Sequence, residues 1–360
     1  MTIDQHIRTR QIELARSIAP RRKIYLDARF WIVMRDAALG VRTEAAAQEL
    51  LAHLRHGVAN GHIICPISAS MLLELMKQPY SPGRRIGTAQ LIDELSLGVG
   101  VIAPQEVMET EVYSFLMKAK GDVDLRPIQE LIWTKAAYVL GSTHPSLPYL
   151  SSDEELIIQK ALCNRLWDCS LVGIVNAIAD EASPQDDFVE LSHSTNVKNL
   201  QHKDELRSFA QTYDVELRGV VELAGDVAAD IIYKLYEKEV GGPLLRTPAE
   251  RAVTVNMCRN LLYLSFKKSE AKNILRSLHI GASIHAAMRW NKTRKFKPND
   301  YYDFEHATVA LSYCDVFLTE GPLHDLVSRP PLKLEAINGC RVFSNVRAAA
   351  DYVGQLCSAH

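Results

Sequence analysis

Two periodicities alternate along the chain. Short apolar runs separated by polar turns mark residues 1 to 103 and return after residue 297, while three- and four-residue apolar spacing dominates between them. Lys23-Ile24-Tyr25-Leu26 reads as a first strand that ends at Asp27, and His62-Ile63-Ile64-Cys65 as a second, with the helical spacing of Arg42 to Val58 bridging them. Ser68 to Lys77 follows as a helix, and Gly98 to Ala103 as a third strand before Pro104. From Pro104 to about Phe296 the pattern is helical, with long stretches over Leu156–Ala182 and Asp204–Val240 and breaks at Gly141 to Pro145, Ser183-Pro184 and Gly241 to Pro243. Near the end, a helix starting at Pro298 runs to about Tyr313. Val316-Phe317-Leu318, too short for a helix, suits a strand buried on both faces. Cys340 to Ser344 makes a last strand before a helix over Asn345 to Leu356. The expected architecture is α/β: a parallel sheet flanked by helices, built from residues 1–103 and 297–360 and interrupted by a large, mainly α-helical insertion over 104–296.

Carboxylates gather around these short strands. Asp27 closes the first strand, Asp300 and Asp303 open the helix after Pro298, and Thr319 and Glu320 leave the carboxyl end of Val316–Leu318. Open α/β sheets bind their ligands at that end. Acids with no accompanying His or Cys set are hard oxygen donors suited to Mg²⁺ or Mn²⁺, and phosphodiester hydrolysis is the natural reaction for such an ion. Each acid also has a plain structural role open to it. Asp27 can cap the next helix, Asp300 can cap the helix that Asp303 joins, and Glu74 can sit in solvent beside Lys77. Asp315, at the opposite end of its strand, suits a turn or a helix end better than a metal.

The opening Asp27-Ala28-Arg29-Phe30-Trp31-Ile32 looks like the Asp-x-Asn-x-Trp variant of the PIN-domain opening, with Arg29 in the Asn position. Glu74 lies where that family places its second acid, and Asn299 to Leu323 follows the family's closing order of acid, small-residue helix face, strand, Thr and acid. Over roughly residues 22 to 103 and 299 to 345 the chain resembles the PIN-domain nucleases. The resemblance implies a PIN-like fold, Mg²⁺ or Mn²⁺ held by Asp27, Glu74, Asp303 and Glu320 as the catalytic acids, support from Thr319, Asp300 and Asp315, and RNA as substrate. It is compatible with an antitoxin or other protein partner and with a homodimer. Many members carry the fourth acid two residues after the Thr, where this chain has Gly321. Arg29 and Gly321 together motivate an alternative, a catalytically degenerate module that binds RNA or a protein without cutting.

A net charge of -2 excludes a globally cationic nucleic-acid binder, so any such contact must be local. The best local candidate joins Trp290 to Lys292, Arg294, Lys295 and Lys297, with Phe296 interleaved and no acid in the run. It leads straight to Asp300 and Asp303. The seven cysteines are scattered and lack Cys-x-x-Cys spacing, which points away from a disulfide framework or zinc ribbon and toward a reducing cytoplasm. No apolar run is long enough to cross a bilayer. Gly98-x-Gly100-x-x-Ala103 lacks the strand–turn–helix context of a dinucleotide site, Gly281 to His285 lacks the closing Gly of a nucleophile elbow, and His53 and His56 lack the zincin pattern.

Overall fold

The computed structural model describes residues 2–122, 124–178, 188–202, 205–243 and 246–358. The break expected at Ser183-Pro184 lies outside them. The strands are β1 (Arg22–Leu26), β2 (Ile63–Ile64), β3 (Val99–Val101), β4 (Trp133–Lys135), β5 (Val316–Leu318) and β6 (Arg341–Phe343). Helices α1 (Ile3–Ile18), α2 (Ala28–Ala38), α3 (Ala45–Ala59), α4 (Ala69–Lys77) and α5 (Gly87–Ser96) accompany the first three strands. Then come α6 (Pro104–Lys120), α7 (Ser152–Trp167), α8 (Leu171–Ile178), α9 (Phe188–Gln201), α10 (Phe209–Val240), α11 (Pro248–Ser265), α12 (Ser269–Ile274) and α13 (Arg276–Trp290). The chain closes with α14 (Pro298–Tyr313), α15 (Gly321–Ser328) and α16 (Val346–Ser358). Among the described residues no helix is long and apolar enough to cross a membrane.

The chain divides into two compact units, one comprising residues 1–103, 129–187 and 301–360, the other 104–128 and 188–300. In the first, β2, β1, β5 and β6 form a wholly parallel sheet in that order, as the alternation of elements predicts. Ile24, Leu26, Ile63, Val316 and Leu318 are fully buried, which explains why these strands read as unbroken apolar runs instead of alternating. Their register matters most for function. Leu26 pairs with Leu318, so β1 and β5 end together and deliver Asp27 and Thr319 side by side at the carboxyl edge.

The strand at Gly98–Ala103 forms as expected, but it pairs antiparallel with β4, a strand the sequence pattern does not announce. Gly100 is required there by crowding, since a Cβ would stand 2.5 Å from Val139 Cγ1 and 3.1 Å from the Ile67 carbonyl oxygen. The expected insertion is also divided differently. Residues 129–187 belong to the sheet-bearing unit, because Leu171 and Val175 of α8 are part of its core. The Asp93 carboxylate accepts the Leu171 and Val172 N–H groups at 2.7 and 2.9 Å and so fixes the start of α8. Helical periodicity shows which face of α8 is apolar, not which core receives it. Among the described residues the second unit is built from helices around Leu217, Val221, Ala224, Ala228, Val255, Cys258 and Leu262.

Candidate functional site

Asp27 follows β1 directly, and its backbone N–H donates to the Leu318 carbonyl at 3.0 Å, tying it to the end of β5. Its side chain accepts the Phe30 N–H at 2.9 Å and caps α2. The capping role weighed for it and a place in the acid cluster are therefore both occupied by one buried carboxylate. Burial raises its pKa to about 6, against the Phe30 hydrogen bond and the His306 charge, which lower it, while Glu320 adds repulsion. The buried Thr319 hydroxyl has no partner in good hydrogen-bonding geometry, yet it lies close enough to Asp27 to favour the ionised carboxylate.

Asp303 reaches the same region from the first turns of α14. Burial raises its pKa to about 7; the His306 charge lowers it, and the repulsion of Glu74, Asp27 and Glu320 pushes it up. Acids distant in the chain are thus within electrostatic range of one another near this edge of the sheet. Glu320 precedes α15 with its side chain exposed and making no capping hydrogen bond. At Gly321 a Cβ would meet nothing within 4 Å, so sterics do not exclude a larger residue there.

Glu74 does not sit in solvent beside Lys77. The polar face of α4 instead meets α14: Ser70 donates to Glu305, His306 Nε2 donates to Glu74 at 2.5 Å, and the Lys77 ammonium lies 4.2 Å from the Tyr302 ring centroid. His306 is fully buried, which by itself would lower its pKa, but its hydrogen bond to Glu74 and the charges of Glu74, Asp27 and Asp303 hold it above the ordinary value. His306 Nδ1 and the Tyr25 oxygen share a hydrogen bond at 2.6 Å, and the Tyr25 hydroxyl and Ser68 Oγ share another at 2.6 Å. Ser68 is itself the N-cap of α4. The helix that carries Glu74 and the strand that delivers Asp27 are thus locked to α14 through one buried chain of hydrogen bonds. Nothing in the strand-and-acid pattern singles out His306, Tyr25 or Ser68; the three-residue step from Asp303 to His306, which puts both on one helix face, is the signal that carries the imidazole.

Two of the supporting acids lie elsewhere. Asp315 is at the amino end of β5, where it accepts Arg22 Nη1 at 2.9 Å and the Lys23 N–H at 2.8 Å; it latches β5 to β1 at the opposite end of the sheet from Asp27. Asp300 takes the capping role, accepting the Lys297 N–H at 2.8 Å ahead of α14 and pairing with Arg294 at 3.4 Å. Arg29 projects into solvent from the first turn of α2. Among the described residues no three His, Cys, Asp or Glu side chains form a ready-made ligand set. Among the described residues Glu74 forms an ion pair with His306.

The basic segment belongs to the helical unit. Trp290, Lys292, Arg294 and Lys295 line a cavity of about 390 Å³ there, together with residues of α9. Lys297 is exposed outside its lining, and Phe296 is buried 5.8 Å from the His285 ring, so Phe296 is not available to a ligand. Set against protein-family profiles, curated proteins and solved structures, the chain matches none.

Proposed function

We propose that the carboxyl edge of the sheet is the active site of a metal-dependent nuclease, a PIN-like endoribonuclease that hydrolyses phosphodiester bonds in RNA. One observation carries the reading: β1 and β5 end in register, so Asp27 stands beside Thr319 and Glu320, and Asp303 lies within electrostatic range of the same acids, with burial first and neighbouring carboxylates second raising the two pKa values to about 6 and 7. Side chains that repel one another in this way favour an added positive charge. The donors are all carboxylate oxygens, which fits a hard ion such as Mg²⁺ or Mn²⁺.

Asp27, Glu74, Asp303 and Glu320 would hold the ion, which supplies Lewis acidity and an acidified water when bound. The chain's own contribution is positional. The α2 cap fixes the Asp27 carboxylate, His306 orients Glu74, and Thr319 orients a water or the last acid through its hydroxyl. Free thiols at all seven cysteines fit the reducing cytoplasm in which such an enzyme would meet RNA and an antitoxin or other protein partner.

Asp27→Asn or Asp303→Asn is expected to lower Mn²⁺-dependent cleavage of RNA by about a thousandfold or more, with an unchanged circular dichroism spectrum. Full cleavage by both variants refutes the site. The degenerate-module reading is favoured by Glu74 being turned to His306 and by Glu320 standing in solvent. Calorimetric titration with Mn²⁺ separates the two: RNA binding without millimolar or tighter Mn²⁺ binding supports the module.

A further inference from the structure

Among the described residues, the wall of the cavity in the helical unit contains Arg289, Lys292, Arg294 and Lys295 and no carboxylate, although the chain as a whole carries a charge of -2. Its construction is specific. The Asn196 side chain of α9 clamps the basic segment, donating from Nδ2 to the Phe296 carbonyl at 2.8 Å and accepting the Phe296 N–H at Oδ1 at 2.9 Å. Arg289 and Arg294 are held in place by Glu216 at 2.8 Å and Asp300 at 3.4 Å. Trp290 is 38% exposed and lines the cavity. His193 and Asn199 of α9 also line it and supply an imidazole and an amide.

We infer that this cavity is a binding site for an unpaired RNA nucleotide, with the base against Trp290, its polar edge toward Asn199 and His193, and the flanking phosphates on Lys292 and Lys295. Size decides against a duplex. A concave space of about 390 Å³ takes one splayed base with its ribose, whereas stacked base pairs offer no single base to enter it. Aromatic stacking beside lysines is also the combination that holds single strands with little sequence preference. The inference rests on the ribonuclease reading only for the choice of RNA; the cavity itself lies wholly within the helical unit and needs none of the sheet-edge acids.

The test uses the full chain carrying Asp303→Asn, so that binding is read without cleavage, and a fluorescein-labelled eight-nucleotide oligo(U) RNA followed by anisotropy. The single strand is expected to bind at least tenfold more tightly than an eight-base-pair RNA duplex. Adding Trp290→Ala should weaken binding about tenfold or more, and Lys292→Ala with Lys295→Ala should weaken it and flatten its salt dependence. Equal affinity for duplex and single strand, equal affinity for inorganic polyphosphate, or unchanged binding by both sets of variants overturns the inference. The lysine pair is exposed, so those variants report even if Trp290→Ala does not fold. Cleavage of the same RNA by the unsubstituted chain with Mn²⁺ separates the two readings. Trp290-dependent binding without cleavage sinks the nuclease alone, and cleavage with Trp290-independent binding sinks the cavity alone.

Discussion

Glu111 in the helical unit and Asp303 in the sheet-bearing unit are carboxylates withdrawn from water, and their surroundings are opposite. Glu111, with no exposed surface, accepts the Ser277 N–H at 3.0 and 3.2 Å and the Ser277 hydroxyl at 2.7 Å. It thereby caps α13, whose N-cap Leu275 makes no side-chain hydrogen bond of its own, and it sits at the positive end of that helix. For Asp303 burial, and after it the repulsion of Glu74, Asp27 and Glu320, raises the pKa to about 7 against the His306 charge, which lowers it. The helical unit neutralises its buried acid with its own donors; the sheet edge leaves its acids partly uncompensated. An acid compensated in place is structural, and one that is not is available to something from outside the chain.

If that contrast is real, removing the two carboxylates must change stability in opposite directions. Glu111→Ala leaves the Ser277 donors and the start of α13 without an acceptor, and is expected to lower the unfolding free energy by about 3 kcal/mol at pH 7 in urea titrations. A loss under about 1 kcal/mol would mean that Glu111 is not the cap it resembles. Asp303→Asn should act the other way and depend on pH. The folded pKa of about 7 lies above the unfolded value near 3.8, so the native state binds more protons between them and stability falls as pH rises through that interval. Above about pH 7 the full penalty applies, at most about 4 kcal/mol and closer to about 2 once partial solvent access is allowed for. The Asn variant escapes it. It should be about 2 kcal/mol more stable at pH 8 and no more stable at pH 4; destabilisation at both would show that Asp303 is held by partners, not repelled.

Much of this arrangement was legible in the sequence, for a physical reason. Strands buried on both faces, such as Val316–Leu318, advertise themselves as short apolar runs, and acids at their carboxyl ends have few places to go. Asp27 is therefore placed by pattern, whereas the choice of Asp303 over Asp300 comes from the family resemblance. Asp315 shows the limit, since the pattern gives the end of the strand but not the Arg22 guanidinium that occupies the carboxylate. Glu74 shows another: helical spacing offers Lys77 as its partner, while the partner found is His306, 232 residues away in the chain. Long-range pairing leaves no periodic trace. The same blindness explains α8, whose apolar stripe is visible while the core that receives it is not.

The weakest expected effect tests whether partners alone make a carboxylate structural. Asp226 on α10 is better provided with cations than Glu111, since Arg259 Nη2 lies 3.0 Å and Arg251 Nη2 3.5 Å from its oxygens. Its side chain, however, is 48% exposed, so water already solvates the carboxylate and salt screens the pairs. Arg251 also keeps Asp230 as a second partner. Asp226→Asn should accordingly cost no more than about 0.5 kcal/mol, vanishing in 1 M NaCl, where the Debye length is about 3 Å. A loss as large as that expected for Glu111→Ala would mean that the number of cations, not removal from water, sets the value of an acid in this protein, and the distinction between a compensated helix cap and a repelling sheet edge would then lose its physical basis.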